Sequence, residues 1–236
     1  MDGWMRIPRQ LKHLRGFRIA GALLLGLLAL PAAGEAAPVR LMAFGDSLTH
    51  GYGLAPGETF PEQLEAALRA DGLDVTVLNA GNSGDTTAGG LARLDWALAD
   101  DPDAVILELG ANDGLRGLDP EATYDNLDAM LTKFGNADLP VLLAGMLAPP
   151  NLGREYGEAF NAVYPRLAKK HDVPLYPFFL DGVAAQAALN QRDGIHPNAE
   201  GVAEIVARIK PHVVRLLEAE SLAERPAAGA ASGAAN

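Results

Sequence analysis

The sequence contains no cysteine, and this absence excludes several kinds of chemistry. Without thiols, the chain can form no disulfide framework, no thiolate metal site and no cysteine nucleophile. The histidine, aspartate and glutamate residues also show no spacing typical of metal ligands. The glycines at 51, 53 and 57 do not follow the G-x-G-x-x-G pattern of dinucleotide sites, and no Gly-Lys-Ser/Thr follows them. We therefore expect neither a metal ion nor a cofactor.

The apolar run near the N-terminus is too short for an ordinary membrane span. It covers 12 residues, Ile19 to Leu30, whereas a transmembrane helix needs about 20. Basic residues precede this run and small residues follow it at positions 31–36, which is the order of a secretory signal peptide. We predict a signal peptide over residues 1–36 and a periplasmic or secreted protein. An uncleaved membrane anchor stays open, because Glu35 makes the cleavage site imperfect.

Basic residues are few, with 19 Lys and Arg against 30 Asp and Glu and a formal net charge of −11. Residues 1–36 hold five basic and two acidic side chains, so their removal would lower the charge to −14. Such a surface repels phosphate backbones, so we expect no nucleic-acid partner. Residues 219–236 are rich in Ala, Gly, Ser and Pro, and we predict a disordered tail there. The remaining residues, 37–218, suit one domain.

Strand and helix patterns alternate along this domain. Five short apolar runs predict strands at 39–44, 75–79, 104–109, 140–146 and within 173–179. Amphipathic spacing predicts helices at 61–71, 86–99, 120–134, 156–171 and 199–218, with kinks at Pro165 and Pro211 and an N-cap at Asn198. The alternation indicates an α/β fold with a parallel sheet and helices on both sides.

The first strand leads directly into Gly45-Asp46-Ser47. A serine at the end of a buried strand is fixed by the strand and exposed by the turn, at the carboxyl edge where open α/β sheets build their sites. Taken alone, this tripeptide is typical of an ordinary turn. Near the other end of the chain, however, Asp193 and His196 place an acid and an imidazole three residues apart. Acyl transfer needs a nucleophile, a base and an acid that orients the base, and Ser47, His196 and Asp193 can fill these roles.

Acyl transfer also needs donors for the developing oxyanion. The second and third strands are followed by loops that contain Gly81 and Asn112. We predict an oxyanion hole made by the backbone N–H groups of Ser47 and Gly81 and the side-chain amide of Asn112. Asp46, Asp85 and Asp113 are predicted to cap or brace these loops.

Four sequence blocks together resemble the SGNH, or GDSL, hydrolase family. They are the Gly-Asp-Ser-Leu at 45–48, the Asn-Ala-Gly at 79–81, the Gly-Ala-Asn-Asp at 110–113 and the Asp-Gly-Ile-His-Pro at 193–197. The match covers residues 39–214, nearly all of the mature chain. Residues 108–117 and 164–169 are further similar to the subgroup of bacterial periplasmic thioesterases, lysophospholipases and arylesterases.

The resemblance implies a three-layer α/β/α sandwich with five mostly parallel strands. It also implies that Ser47 attacks, that His196 serves as base and then acid, and that Asp193 orients the imidazole, with Gly81 and Asn112 in the oxyanion hole. The expected activity is hydrolysis of carboxylic esters and thioesters of acyl chains, by a monomer in transient contact with lipid substrates. Apolar loop residues favour an acyl chain: Leu115, Leu118, Met146, Leu147 and Leu152.

Two other functions stay open. A carbohydrate O-acetyl esterase of the same family would need polar pocket walls. A non-catalytic binding module on this scaffold would be expected to lose Ser47, His196 or Asn112, and all three are present.

Overall fold

A computed structural model describes residues 37–223, with side chains as far as residue 219. The predicted signal peptide and residues 224–236 of the predicted tail lie outside the described residues. The last helix continues to Ala223, so the domain boundary that we predicted at residue 218 falls inside a helix. Residues 216–223 are rich in Leu, Ala and Glu, which are strong helix formers, and this composition accounts for the longer helix.

The core of the fold is a five-stranded parallel sheet with strand order β2-β1-β3-β4-β5. Its strands are β1 (Val39–Gly45), β2 (Val75–Gly81), β3 (Ala104–Glu108), β4 (Val141–Ala144) and β5 (Leu175–Tyr176). Every residue of β3 and β4 is buried. Because successive side chains of a strand point to opposite faces, both faces of the sheet are covered.

The helices that cover the sheet pack in two groups, α2 with α8, and α5 with α3 and α7. The eight α-helices of the described residues are α1 (Ser47–His50), α2 (Phe60–Ala70), α3 (Thr87–Leu98), α4 (Ala111–Leu115), α5 (Pro120–Asn136), α6 (Arg154–Asn161), α7 (Val163–His171) and α8 (Ala199–Ala223). The predicted three-layer α/β/α arrangement is confirmed. Within residues 37–223, no helix is long and apolar enough to span a bilayer.

The predicted elements are all present, and their ends differ by a few residues. The predicted helix at 156–171 is two helices, which meet at Ala162 rather than bending at Pro165. Pro165 lies in the first turn of α7, where its missing N–H breaks no hydrogen bond. The amide oxygen of Asn198 accepts from the N–H of Gly201 at 2.9 Å, as expected of an N-cap at α8.

The short helices α1 and α4 were not predicted. They follow β1 and β3, the two strands between which the chain order of the sheet reverses. Ligands of open α/β sheets bind at this switch point.

Candidate active site

Ser47 is held at the carboxyl end of β1 as the first residue of α1. Asp46 caps this helix, because its Oδ1 accepts from the N–H of Leu48 at 3.0 Å. The N–H of Ser47 precedes the first hydrogen-bonded turn of the helix, and it donates to no acceptor among the described residues. One free backbone donor therefore lies on the same residue as the predicted nucleophile.

The structure brings Ser47 together with the acid and imidazole predicted from the C-terminal motif. The Nε2 of His196 lies 2.9 Å from the Oγ of Ser47, and its Nδ1 lies 2.7 Å from the Oδ2 of Asp193. These distances are within hydrogen-bond range for both pairs. Residues 149 positions apart in the chain thus form one continuous line of nucleophile, base and acid.

The carboxylate of Asp193 is anchored by its own loop. Its Oδ1 accepts from the N–H groups of Ile195 and His196, each at 3.0 Å. The hydrogen bond to the His196 ring, followed by these two backbone bonds, lowers the pKa of Asp193 to about 2. The carboxylate is therefore ionised at neutral pH, as an imidazole-orienting acid must be.

Two residues that hold His196 were not predicted from the sequence. The ring of Tyr52 packs on the imidazole, with centroids 4.7 Å apart. Gln191 donates from its side chain to the carbonyls of Tyr52 and Pro197, and its N–H donates to the carbonyl of His196 at 2.8 Å. Neither residue lies in a motif that would signal these contacts, and the contacts of Tyr52 join segments about 140 residues apart.

The geometry does not support the predicted oxyanion role of Gly81. Its N–H donates to the Oδ1 of Asn79 at 3.0 Å. A Cβ at this position would lie 2.3 Å from the backbone nitrogen of His50, so the glycine is needed for close packing of two backbone segments. In the same loop, the N–H of Gly84 has no acceptor among the described residues. The neighbouring Asp85 carbonyl contacts Asn112.

Asn112 lines the cavity beside Ser47, but its amide hydrogens already have partners. Its Nδ2 donates to the Oδ2 of Asp46 at 3.1 Å and to the backbone carbonyl of Asp85 at 2.9 Å. The side chain thus links the loops that follow β1, β2 and β3. An oxyanion role would require a substrate oxygen to take over one of these two hydrogens.

Two carboxyl groups close to the nucleophile are fully buried. They belong to Asp46, which precedes Ser47 in the chain, and to Glu108, the last residue of β3. The Oε2 of Glu108 accepts from the Oγ1 of Thr49 at 2.7 Å and from the N–H of Asp46 at 3.4 Å, whereas its Oε1 has no partner. Burial, added to the charge of Asp46, raises the pKa of Glu108 well above its usual value. Burial likewise raises the pKa of Asp46 to about 6.

The raised pKa of Glu108 predicts how stability depends on pH. The folded protein keeps this proton at pH values where the unfolded chain has lost it, so this group contributes less stability as pH rises above about 4.5. Glu108→Gln removes the titration and keeps an oxygen for Thr49. We expect the free energy of unfolding of Glu108→Gln, relative to wild type, to rise between pH 5 and 7, because only the wild type loses this contribution over that range. Denaturant unfolding at several pH values measures this difference.

Glu121→Gln is the matched control for that measurement. Glu121 is exposed, and its hydrogen bond to Arg166 lowers its pKa. Loss of this titration should change the pH dependence only below the usual range of a glutamate. A difference between Glu108→Gln and wild type that stays constant from pH 5 to 7 would show that Glu108 is ionised in the folded protein.

An apolar cavity of about 630 Å³ opens at Ser47. Predicted residues Leu115, Met146 and Leu147 line it, whereas Leu118 and Leu152 do not. Its remaining apolar walls come mainly from Leu48, Ala148, Pro149, Pro150, Phe178, Leu180 and Ile195. No group of three or more His, Asp or Glu side chains in residues 37–223 is placed to hold a metal ion.

The chain is similar in sequence to known lipases and esterases. The model of the GDSL-like lipase/acylhydrolase family matches residues 43–203. An arylesterase from Vibrio mimicus is 42% identical over 183 residues, which cover 76% of this chain and 91% of the relative. A protein from Escherichia coli K12, described as thioesterase 1/protease 1/lysophospholipase L1, is 43% identical over 166 residues, or 70% of this chain and 78% of the relative.

A solved structure is similar to this chain in both fold and sequence. It is AlinE4, described as an SGNH-hydrolase family esterase, and it is 46% identical with a TM-score of 0.66. The superposition covers 78% of this chain and 98% of the solved one.

Proposed function

This chain belongs to the GDSL-like lipase/acylhydrolase family, and on that premise we propose that it is a serine hydrolase of carboxylic esters and thioesters of acyl chains. One observation carries the proposal. The hydrogen-bonded line from Asp193 through His196 to Ser47 ends at the mouth of an apolar cavity. This combination supplies an activated nucleophile beside a surface that suits a hydrocarbon chain.

In the proposed reaction, the Oγ of Ser47 attacks the acyl carbonyl while the Nε2 of His196, 2.9 Å away, takes its proton. The tetrahedral intermediate collapses to an acyl-serine, and the imidazolium returns the proton to the departing alcohol or thiol. A water molecule then attacks the acyl group, again with His196 as base, and Ser47 is regenerated. Asp193 keeps the proton on Nδ1 and stabilises the imidazolium throughout.

We propose that the free N–H of Ser47 is the first donor to the oxyanion. Gly84 is the better candidate for the second, because its N–H is free whereas that of Gly81 is bound to Asn79. Asn112 lies in the cavity and would join them after exchanging the Asp46 or Asp85 contact for the substrate oxygen.

A substrate panel tests the proposed function. Purified protein would be assayed with p-nitrophenyl esters, acyl-CoA thioesters, lysophospholipids and acetylated sugars. We expect hydrolysis of the acyl esters and thioesters, because the cavity walls are mainly apolar. A preference for acetylated sugars would instead indicate the carbohydrate O-acetyl esterase. If none of these substrates is hydrolysed, the result would indicate the non-catalytic binding module.

We also propose that the protein is exported and acts as a monomer in transient contact with lipid substrates. Export rests on the order of basic, apolar and small residues in 1–36. Lipid contact is supported by three half-exposed residues of the cavity, Leu115, Leu147 and Ile195. The intact mass of protein from the periplasm or medium tests export, since retention of residues 1–30 would mean an anchor. Size-exclusion chromatography tests the monomer.

A further inference from the structure

Arg93 lies on α3, outside every motif described above, yet its side chain connects three segments around the active site. Its Nη2 donates to the carbonyl of Gly45 at 2.8 Å, and its Nη1 donates to the carbonyl of Ala80 at 2.9 Å. Its Nε donates to the Oδ2 of Asp85 at 2.6 Å. The guanidinium carbon also lies 4.2 Å from the ring centre of Phe44.

We propose that Arg93 is a positioning residue for the hydrolysis proposed above, on which this inference rests. It fixes the position of the turn that carries Ser47 relative to the loop between β2 and α3, at the edge of the sheet. The Gly45 carbonyl lies two residues before Ser47, so its hydrogen bond restrains the end of β1 from which the nucleophile projects. The Ala80 carbonyl restrains the end of the adjacent strand β2 in the same way.

The contact with Asp85 extends this restraint to the donors that we propose for the oxyanion. The carboxylate of Asp85 binds Arg93 through Oδ2 and the amide of Asn82 through Oδ1. Its backbone carbonyl accepts from Asn112, and Gly84 precedes it in the chain. Displacement of Asp85 would therefore move both the Gly84 N–H and the Asn112 amide relative to Ser47.

Geometry and environment both favour arginine at this position. A guanidinium offers five N–H donors in a rigid plane and can hold two carbonyls and a carboxylate at once, whereas a lysine ammonium is a single point on a flexible stem. The side chains of Arg93 and Asp85 are only 19% and 13% exposed. A charged hydrogen bond between two side chains with so little exposure to solvent is stronger than an ion pair at the protein surface.

Substitution of Arg93 should therefore slow chemistry more than it weakens binding. We expect Arg93→Met to lower kcat by about 10- to 100-fold, since a misplacement of about 1 Å can cost that much. KM should change by less than about threefold, because Arg93 is not among the residues that line the cavity. The rate at which a fluorophosphonate labels Ser47 should fall with kcat. Arg93→Lys, which keeps a charge for Asp85, should recover part of the loss.

Arg166→Met is the matched control. Arg166 also pairs with a carboxylate, Glu121, and lies 4.2 Å from the centre of an aromatic ring, Tyr124. It contacts none of the loops at the carboxyl edge that carry the predicted site residues. Its variant should keep wild-type kcat, KM and labelling rate, whatever it does to the melting temperature.

A double substitution tests the route through Asp85. Asp85→Asn should lower kcat, and Arg93→Lys/Asp85→Asn should lower it by less than the product of the two single effects, because both break the same link. The proposal would be overturned if Arg93→Met and Arg93→Lys both fold and keep the kcat of the wild type, even if their melting temperatures are lower. If Arg93→Met does not fold, Arg93→Lys and Asp85→Asn decide alone. Wild-type protein without hydrolytic activity would instead refute the proposed function.

Discussion

Ser47→Ala is expected to abolish hydrolysis, with a fall in kcat of about 10⁶, as for loss of the nucleophile in other serine hydrolases. The change removes the hydrogen-bond partner of the Nε2 of His196 in the described structure. No acyl-serine can form, and the remaining catalysis must come from binding and oxyanion donors acting on water. The cavity and the hydrogen bond between Asp193 and His196 should persist, so substrate binding and the melting temperature should change little.

Covalent labelling identifies the nucleophile directly. A fluorophosphonate should label wild-type protein on the peptide that contains Ser47 and should not label Ser47→Ala. Ser83→Ala is the control, since Ser83 is an exposed serine in the loop after β2, and this variant should keep both label and activity. Label that survives in Ser47→Ala, or that maps to Ser83, would assign the nucleophile elsewhere.

The fold could be predicted because each strand and each longer helix carries its own local signal. The strand at 104–109 is almost continuously apolar, as required in a sheet covered on both faces. The short helices α1 and α4 were missed because each is only four or five residues long and contains polar turn residues. Their helical form depends on the loop geometry at the sheet edge, not on periodicity.

The candidate site was predictable where a motif contains the chemistry, and it was not where contacts between loops decide it. Ser47, Asp193 and His196 lie in two short motifs, and the fold aligns them. The geometry does not support the role predicted for Gly81, because its N–H already donates to the side chain of Asn79, a contact that the sequence does not reveal. Glu108 did leave a signal, as a single charge in an otherwise apolar strand.

Asp193→Asn is expected to lower kcat by about 10⁴ while the loop keeps its shape. Two backbone N–H groups donate to Oδ1 of the carboxylate, and Nδ1 of His196 contacts Oδ2. An asparagine must therefore turn its oxygen toward the two N–H donors, because its NH₂ group cannot accept from them. The NH₂ group then faces Nδ1.

This orientation forces the imidazole into the wrong tautomer. An amide N–H that points at Nδ1 requires a lone pair there, so the ring proton moves to Nε2. Nε2 can then no longer accept the proton of Ser47. A loop with freely rotating side chains would tolerate the change better, but here the backbone donors fix the amide, so the full loss is expected.

Asp128→Asn is the matched control, since Asp128 also lies 2.7 Å from a histidine nitrogen, the Nε2 of His171, remote from the cavity. It should retain wild-type kcat. For Asp193→Asn, we expect a melting temperature close to wild type, because the side chain is partly exposed and the hydrogen bonds from the N–H groups of Ile195 and His196 survive on the amide oxygen. The rate of Ser47 labelling should fall with kcat. A loss below about tenfold in a folded Asp193→Asn variant would mean that His196 holds its tautomer without Asp193, and the orienting role would be wrong.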